Sequence, residues 1–338
     1  MRYERVHIQA IEYVAPTIEV TTESLERMLG PLYRRLGLSQ GLLEALTGVR
    51  ARRFWPEGTK AHDAGAQAAR RVLDRHGVSA DRIETVVSTS VCKDYLEPPM
   101  ASLIAGDLGV ADHCRNFDVG HACLGFMSGM LAVANMIELG QIEYGLVIAG
   151  EGSREVTAAT VRRLLKPGQT FGSFSENLAT LTLGSMAVAA LLVHERHSQH
   201  GHQLLGGASL SATNHSRLCL GTATSMKTDA PTLLREGVSL AGRTWQAAQA
   251  NLGLRPDEVR EFVLHQVGHA NHEALMKTLA LPSDKVLRLY TDHGNVGAAG
   301  VPFTLATAVE QGRVKSGDTA ALMGIGSGLN CTMLGVRW

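Results

Sequence analysis

Phe117-Asp-Val-Gly-His-Ala-Cys-Leu-Gly-Phe-Met-Ser-Gly-Met130 links a predicted strand to a predicted helix. The pattern predicts the strand over Asn116–Val119 and an apolar helix over Phe126–Leu139. Cys123 then lies in the turn, near the N-terminus of the helix. Unpaired N–H groups and the helix dipole favour a thiolate there and can hold a carbonyl oxygen that becomes negative. The alternative is a cysteine that only packs as a small apolar residue.

Similar patterns recur in the second half of the chain. Three segments reappear in the same order about 175 residues later, which is far longer than the period of solenoid repeats. The pairs are Asp81–Ser90 with Asp257–Gln266, Asp118–Gly125 with Asp292–Ala299, and Glu138–Gly150 with Glu310–Leu322. We infer an internally duplicated α/β unit. Residues 1–195 form one half, residues 203–338 form the other, and the polar, His-rich residues 196–202 connect them.

The rest of the composition indicates a globular α/β enzyme. Of the 338 residues, 45% are hydrophobic and 19% are charged. Continuous apolar runs such as Leu146-Val-Ile148 and Phe262-Val-Leu264 alternate with helical segments, which predicts a parallel or mixed sheet covered by helices on both faces. Basic and acidic residues number 32 each, so the whole chain has no electrostatic attraction to nucleic acid or anionic membranes.

The cysteines and the N-terminal sequence indicate the cellular compartment of the protein. Five widely spaced cysteines without a CxxC pair indicate neither a disulfide framework nor a structural zinc site. The N-terminus has charges where a signal peptide has its apolar core, and no apolar stretch reaches spanning length. These features predict a cytoplasmic protein.

His265 and Asn295 are candidate partners of Cys123. His265 ends an apolar strand of the second half, and Asn295 lies in a loop of small residues. In the duplicated unit both follow strands at the carboxyl edge, where the Cys123 turn also lies. Imidazole and amide donors can polarise a thioester carbonyl and stabilise an enolate. A lone histidine at a strand end is more often a satisfied polar group, but the combination predicts acyl transfer followed by carbanion chemistry.

Cys123 in its turn, His265-Gln266, His293-Gly-Asn295 and Gly324-Ile-Gly-Ser-Gly328 together resemble the ketosynthase III branch of the thiolase superfamily over essentially the whole chain. Asp94-Tyr-Leu-Glu-Pro98 narrows the resemblance to OleA-like acyl-CoA condensing enzymes, which open long-chain olefin and β-lactone biosynthesis. The resemblance implies a thiolase fold layered α-β-α-β-α. It also implies a non-decarboxylative Claisen condensation of two long-chain fatty acyl-CoAs, whose 2-alkyl-3-ketoacyl product is released as the β-keto acid.

The same resemblance implies residue roles. Cys123 is the acylated nucleophile, and its backbone N–H forms the oxyanion hole with that of Ser327. His265 and Asn295 stabilise the enolate. Glu97 is the base, contributed across the interface of a homodimer, since a plain acyl-CoA cannot form its carbanion by losing CO2. Coenzyme A thioesters are the substrates, no cofactor or metal is expected, and downstream pathway enzymes are candidate partners.

Several alternatives stay open at this level. Arg50, Arg52 and Arg53 either bind CoA phosphates or form an exposed basic turn. The histidines of residues 194–202 have metal-like spacing without a flanking pattern that supports a site. A decarboxylating 3-oxoacyl-[acyl carrier protein] synthase III is the main rival, and it needs no base at Glu97. A Cys-dependent acyltransferase or thioesterase is another.

The sequence departs from the resemblance in two places. His121 stands where Asn is more typical, and Gly268-His-Ala-Asn-His272 replaces the usual segment after the histidine. Contacts near the nucleophile and beyond His265 are therefore expected to differ from those of the family.

Overall fold

A computed structural model describes the whole chain, Met1–Trp338, and contains 13 strands. They are β1 (Val6–Val14), β2 (Ile18–Thr21), β3 (Ala51–Phe54), β4 (Thr85–Ser88), β5 (Arg115–Asp118), β6 (Tyr144–Glu151), β7 (Met186–His194), β8 (Gln203–Ser211), β9 (Cys219–Thr222), β10 (Ser225–Thr228), β11 (Val259–Leu264), β12 (Thr319–Gly326) and β13 (Asn330–Arg337). Nine of them form one hydrogen-bonded series in the order β11-β12-β13-β8-β1-β7-β6-β4-β5. The antiparallel pairs β2–β3 and β9–β10 form two separate two-stranded sheets.

The helices lie between these strands. They are α1 (Thr22–Met28), α2 (Gly30–Leu36), α3 (Leu42–Thr47), α4 (Ala61–His76), α5 (Met100–Leu108), α6 (Gly125–Glu138), α7 (Arg154–Leu164), α8 (Phe171–Glu176), α9 (Leu178–Leu181), α10 (Ala230–Leu252), α11 (His269–Thr278), α12 (Tyr290–His293) and α13 (Gly300–Glu310). Even α10, with 23 residues, lacks the continuous apolar length needed to cross a membrane, and so does every other helix.

The nine-stranded series consists of two half-sheets. Strands β1, β7, β6, β4 and β5 belong to the first half of the chain, and β8, β13, β12 and β11 to the second. A single residue pair, His7 with Gln203, joins β1 to β8. Residues 196–202 lie between β7 and β8, and the first two of them belong to a 3-10 turn at Glu195–His197. Parallel pairs (β4–β5, β4–β6, β11–β12) occur with antiparallel ones, so the sheet is mixed, as predicted.

Helices and half-sheets alternate in five layers. Helices α4 and α5 pack on the outer face of the first half-sheet, and α10 and α11 pack on the outer face of the second. Helices α6 and α13 lie between the half-sheets and share a core of 33 buried residues with the strands on both sides. Because each fully buried large aliphatic or aromatic side chain contributes about 1.5–3 kcal/mol, this middle layer is a major source of stability. The predicted α-β-α-β-α thiolase fold is confirmed.

The duplication is visible element by element. A 3-10 turn at Ala122–Leu124 precedes α6, and a 3-10 turn at Gly297–Ala299 precedes α13. Strands β6 and β12 have equal lengths of 8 residues and are separated by the same offset as the two turns. The duplicated unit is therefore confirmed. In this alignment Cys123 corresponds to Ala298, and Glu151 corresponds to Gly326.

Candidate active site

The nucleophile turn has the predicted position between β5 and α6. Cys123 is the middle residue of the 3-10 turn. Ala122 before it has a backbone φ of 46°, a value that residues other than glycine rarely adopt. Gly125 begins α6, and a Cβ there would overlap the carbonyl oxygen of Thr89. Glycine at this position therefore allows the helix to start directly against the end of β4.

The thiol of Cys123 is neutral at ordinary pH. Desolvation by the surrounding protein, with smaller contributions from the nearby Glu151 and Cys219, raises its pKa to about 12. Its own backbone N–H lowers the pKa, but by less. The prediction that the helix N-terminus favours a thiolate here is therefore wrong for the resting site, because burial outweighs the N–H groups.

His265 follows β11 and is 3% exposed. Its backbone N–H donates to the carbonyl of Met323 on β12 at 2.8 Å, while its ring Nδ1 has no hydrogen-bond partner. Gly300 allows α13 to begin close to the ring, since a Cβ there would lie 3.2 Å from Nδ1. Burial lowers the pKa of His265 to about 4, so the imidazole is neutral and can accept or donate a proton.

Asn295 is fixed through both its backbone and its side chain. Its N–H donates to the Thr182 carbonyl at 2.9 Å, and its carbonyl accepts from Gly184 at 2.8 Å. Its Oδ1 accepts from the N–H of Gly297 at 3.0 Å. Because an N–H can only donate, this bond identifies the amide atom facing Gly297 as the oxygen and sets the orientation of the amide. The side-chain NH2 group has no acceptor within the protein.

These segments meet at one edge of the fold. The nucleophile turn packs against the turn Gly297–Ala299 and against β12. At Gly326 the approach is close, since a Cβ would lie 3.2 Å from the backbone nitrogen of Leu124. The next residue, Ser327, donates no backbone hydrogen bond. The structure thus brings the elements that carry Cys123, Asn295 and Ser327 together, with His265 against the start of α13.

Glu97 lies outside this cluster. It belongs to an exposed irregular segment, residues 91–99, in which Leu96 is 96% exposed. Asp94 anchors the segment, because its carboxylate accepts from the backbone N–H groups of Ala61 and His62 at 3.0 and 2.9 Å, at the start of α4. Glu97 makes no salt bridge or side-chain hydrogen bond within its own chain.

The three arginines have different environments. Arg50 is exposed and pairs with Asp292, and Arg53 is half-buried and pairs with Glu19 at 3.2 Å. Arg52 is completely buried, and its guanidinium donates to the carbonyls of Val20 and Leu181 and to the Thr22 hydroxyl. The prediction that Arg52 binds CoA phosphates is therefore wrong. It supports the backbone of Leu181, next to the Thr182 carbonyl that fixes Asn295.

We expect Arg52→Met to lower the free energy of unfolding by about 2–4 kcal/mol, because it leaves buried acceptors without donors. The matched control is Arg53→Met on the same strand, which removes only a partly exposed ion pair and should change stability by less than about 1 kcal/mol. Thermal melting of the two variants measures the difference. Equal melting temperatures would contradict the structural role of Arg52.

The His-rich segment is occupied by packing contacts. His202 stacks on Trp338 with ring centroids 4.1 Å apart, and His200 stacks on His202. His197 contacts Glu143 at 3.0 Å. A group of side chains with the spacing of metal ligands does occur, but outside this segment. The potential ligand atoms of His62, Asp63 and Asp107 lie within 4.8 Å of one another near the surface.

Sequence reasoning missed Glu151. It ends β6, is 4% exposed, and lies close enough to Cys123 to affect its pKa. A signal was present, because a carboxylate directly after a buried apolar strand falls at the same edge of the sheet as the nucleophile turn.

Comparison with known proteins agrees with this architecture. Residues 51–192 match the thiolase N-terminal domain, and residues 249–338 match the C-terminal domain of 3-oxoacyl-[acyl-carrier-protein] synthase III. An acyl-CoA:acyl-CoA alkyltransferase from Xanthomonas campestris is 40% identical over 100% of both chains. A Xanthomonas campestris OleA variant, solved with lauric acid and lauroyl-CoA, has a TM-score of 0.97 at 39% identity, covering 99% of this chain and 100% of that one. A structure described as 3-oxoacyl-(acyl carrier protein) synthase III from Xanthomonas oryzae has a TM-score of 0.97 at 41% identity, covering 100% of both.

The Xanthomonas campestris OleA structures also include variants in which one cysteine, one histidine or one glutamate is replaced. The spacing along the chain between those three residues equals the spacing between Cys123, His265 and Glu97 in this sequence. Cys123, His265 and Glu97 thus correspond to the positions substituted in that protein.

Proposed function

Because this chain belongs to the acyl-CoA:acyl-CoA alkyltransferase family of thiolase-fold enzymes, we propose that it joins two fatty acyl-CoAs by a Claisen condensation without decarboxylation. The product is a 2-alkyl-3-ketoacyl-CoA thioester, and hydrolysis of its bond to CoA by water releases CoA and the β-keto acid at the start of long-chain olefin or β-lactone biosynthesis. The observation that carries the proposal is the meeting of the Cys123 turn with the segments bearing Asn295 and Ser327, beside His265.

The first half-reaction loads an acyl group onto Cys123. The sulfur attacks the thioester carbonyl of the first acyl-CoA, and the carbon–sulfur bond to CoA breaks. The backbone N–H groups of Cys123 and Ser327 stabilise the oxyanion that forms. Since the Cys123 thiol is neutral and the His265 imidazole is neutral, the thiol proton passes to a base before it reaches the departing CoA thiolate, and His265 is the candidate.

The second half-reaction forms the carbon–carbon bond. The carbonyl of the second acyl-CoA accepts hydrogen bonds from His265 and from the free amide NH2 of Asn295, which lowers the energy of its enolate. Glu97 of the partner subunit removes the α-proton. The carbanion attacks the acyl group on Cys123, the bond to Cys123 breaks, and the sulfur recovers a proton.

The middle layer supplies an apolar environment for the acyl chains. A narrow cavity lies between α6, α13 and the strands, and apolar side chains that include Phe126, Met127, Met130, Val301 and Leu305 line it. Phe126 and Met127 follow the nucleophile turn directly, so an acyl group on Cys123 has apolar side chains beside it. Methionines adapt their shape easily, which suits a channel that must open for a flexible chain.

The position of Glu97 supports a homodimer. The Glu97 side chain is exposed and makes no hydrogen bond or salt bridge within its own chain, so we infer that a second copy brings its own nucleophile to this base. The neighbouring side chains of Val91, Tyr95 and Leu96 are 52%, 45% and 96% exposed, as expected of apolar groups that a partner covers.

Two further features of the proposal concern substrate and location. With Arg52 buried, Arg50 and Arg53 remain as candidates for CoA phosphates, and the reaction requires no cofactor beyond the CoA thioesters themselves. All five cysteines are free, which suits a reducing compartment such as the cytoplasm.

The test uses the wild-type protein, myristoyl-CoA as the single substrate and no malonyl donor. We expect intact-protein mass spectrometry to show one acyl group on each chain, and product analysis to show the β-keto acid or the ketone left when it loses CO2. Carbon–carbon bond formation only after malonyl thioester is added would establish the decarboxylating synthase instead. Release of free fatty acid alone would indicate a thioesterase.

A further inference from the structure

Glu151 is a buried carboxylate that the mechanism above does not use. It is 4% exposed and forms no salt bridge with any basic residue. Its carboxylate is stabilised by three backbone donors instead. Oε1 accepts from Val91 at 2.9 Å and from Ala298 at 3.1 Å, and Oε2 accepts from Cys92 at 3.2 Å. A buried acid with this many backbone bonds fixes the segments that supply them.

Those segments are the ones that the condensation step needs. Val91 and Cys92 open the exposed segment that carries Glu97. Ala298 lies in the turn whose Gly297 N–H orients the Asn295 amide, at the start of the helix that approaches His265. One carboxylate at the end of a first-half strand thus connects the root of the base-bearing segment to the second-half turn.

The duplication shows that this arrangement is specific to one side of the site. Ala298 is the counterpart of Cys123, and its N–H is taken by Glu151. The counterpart of Glu151 is Gly326, which has no side chain and lies against the nucleophile turn. The N–H of Cys123 therefore has no competing carboxylate, whereas the equivalent N–H on the other side is permanently occupied.

We propose that Glu151 is a positioning residue for condensation, which holds the Asn295 turn beside its own nucleophile and the root of the Glu97 segment that serves the partner's site. The proposal rests on the proposed function. It predicts that loss of Glu151 affects carbon–carbon bond formation far more than acyl loading, because none of the three hydrogen bonds has its donor in the Cys123 turn.

The charge of Glu151 gives an independent readout. Burial raises its pKa to about 7, against the effect of its three N–H donors. When ionised it raises the pKa of the thiols of Cys92 and Cys123, the titratable groups on which it acts. As the pH rises through 7, ionisation of Glu151 should therefore suppress formation of the Cys123 thiolate.

The experiment compares wild type with Glu151→Gln and Glu151→Asp. Gln keeps the size and one carbonyl oxygen, but it loses the charge and one acceptor. Asp keeps the charge but is one methylene too short to span the three donors. Alkylation of Cys123 by iodoacetamide is followed from pH 6 to 9 by peptide mass spectrometry. Condensation is followed by loading Cys123 with one myristoyl group and adding a second acyl-CoA.

In the Glu151→Gln variant we expect Cys123 to be alkylated several-fold faster than in wild type above pH 7. This variant should load the first acyl group normally and catalyse condensation at least tenfold more slowly. In the Glu151→Asp variant Cys123 should be alkylated at the wild-type rate, and condensation should also be at least tenfold slower. Condensation by both variants within twofold of wild type would overturn the positioning role, and so would equal losses in loading and condensation. In wild type, the rise of the Cys123 alkylation rate with pH should become less steep near pH 7. This measurement does not depend on whether either variant folds. If wild type itself forms no carbon–carbon bond, the proposed function fails instead.

Discussion

Replacing Cys123 with alanine is expected to abolish acyl loading and to lower condensation at least about a thousandfold, since the acyl intermediate forms on its thiol. The turn should survive the change, because alanine is the residue found at the equivalent position, Ala298, in the second half. Loss of activity would therefore report loss of the nucleophile and not of the fold. Intact-protein mass after incubation with myristoyl-CoA measures the loading directly.

The matched control for this variant is Cys219→Ala. Cys219 is half-exposed and close enough to raise the pKa of the Cys123 thiol, so it is the other cysteine that an acyl group could reach. We expect the control to load one acyl group and to condense at a rate close to that of wild type. Loading of Cys123→Ala, or loss of loading in Cys219→Ala, would move the nucleophile away from Cys123.

Substituting Glu97 with glutamine is expected to leave acyl loading intact and to lower condensation by about 10²–10⁴-fold, the usual effect of removing a general base. Glutamine keeps the shape of the exposed segment but cannot take the α-proton. Single-turnover measurement on enzyme already loaded with myristate separates the two steps. Unchanged condensation would rule out Glu97 as the base.

The subunit origin of the base can be tested by complementation. A heterodimer of one Cys123→Ala chain and one Glu97→Gln chain has one complete site if the base acts across the interface, so it should show about half the wild-type activity per dimer. A base acting within its own chain leaves both sites incomplete. The reciprocal heterodimer carries both substitutions on one chain and none on the other, and it should be inactive in the first case and half-active in the second. Differently tagged chains allow each heterodimer to be purified.

Much of the fold could be predicted from sequence because its signals are local or periodic. The apolar runs of β6 and β11 and the helix after Cys123 indicate elements buried on both sides, and the structure places α6 within one residue of the predicted helix. The duplication was visible because strand, turn and helix recur in the same order. Cys123 and His265 could be selected because each follows a strand at one edge of the sheet, whereas Asn295 follows the short helix α12 and not the strand that the sequence predicts.

The remaining features depend on tertiary partners that no local pattern specifies. An arginine between two other arginines indicates an exposed basic turn, yet Arg52 is buried because carbonyls distant in sequence, such as that of Leu181, accept its protons. The pKa of Cys123 is likewise set by what surrounds the thiol. Glu151 escaped notice because its three donors come from two separate segments.

The occupied N–H at Ala298 also limits how the enzyme can change. Two copies of one ancestral unit would begin with equal capacity for acyl transfer, so introducing a cysteine at the silent copy looks like a simple route to a second reaction centre. In this chain that route is closed, because Glu151 already holds the backbone donor that a new tetrahedral intermediate would need. Restoring symmetry would take coordinated changes at Ala298, Glu151 and Gly326. The division of labour between the two copies is therefore not reversed by substituting Ala298 alone, since its N–H would still donate to Glu151.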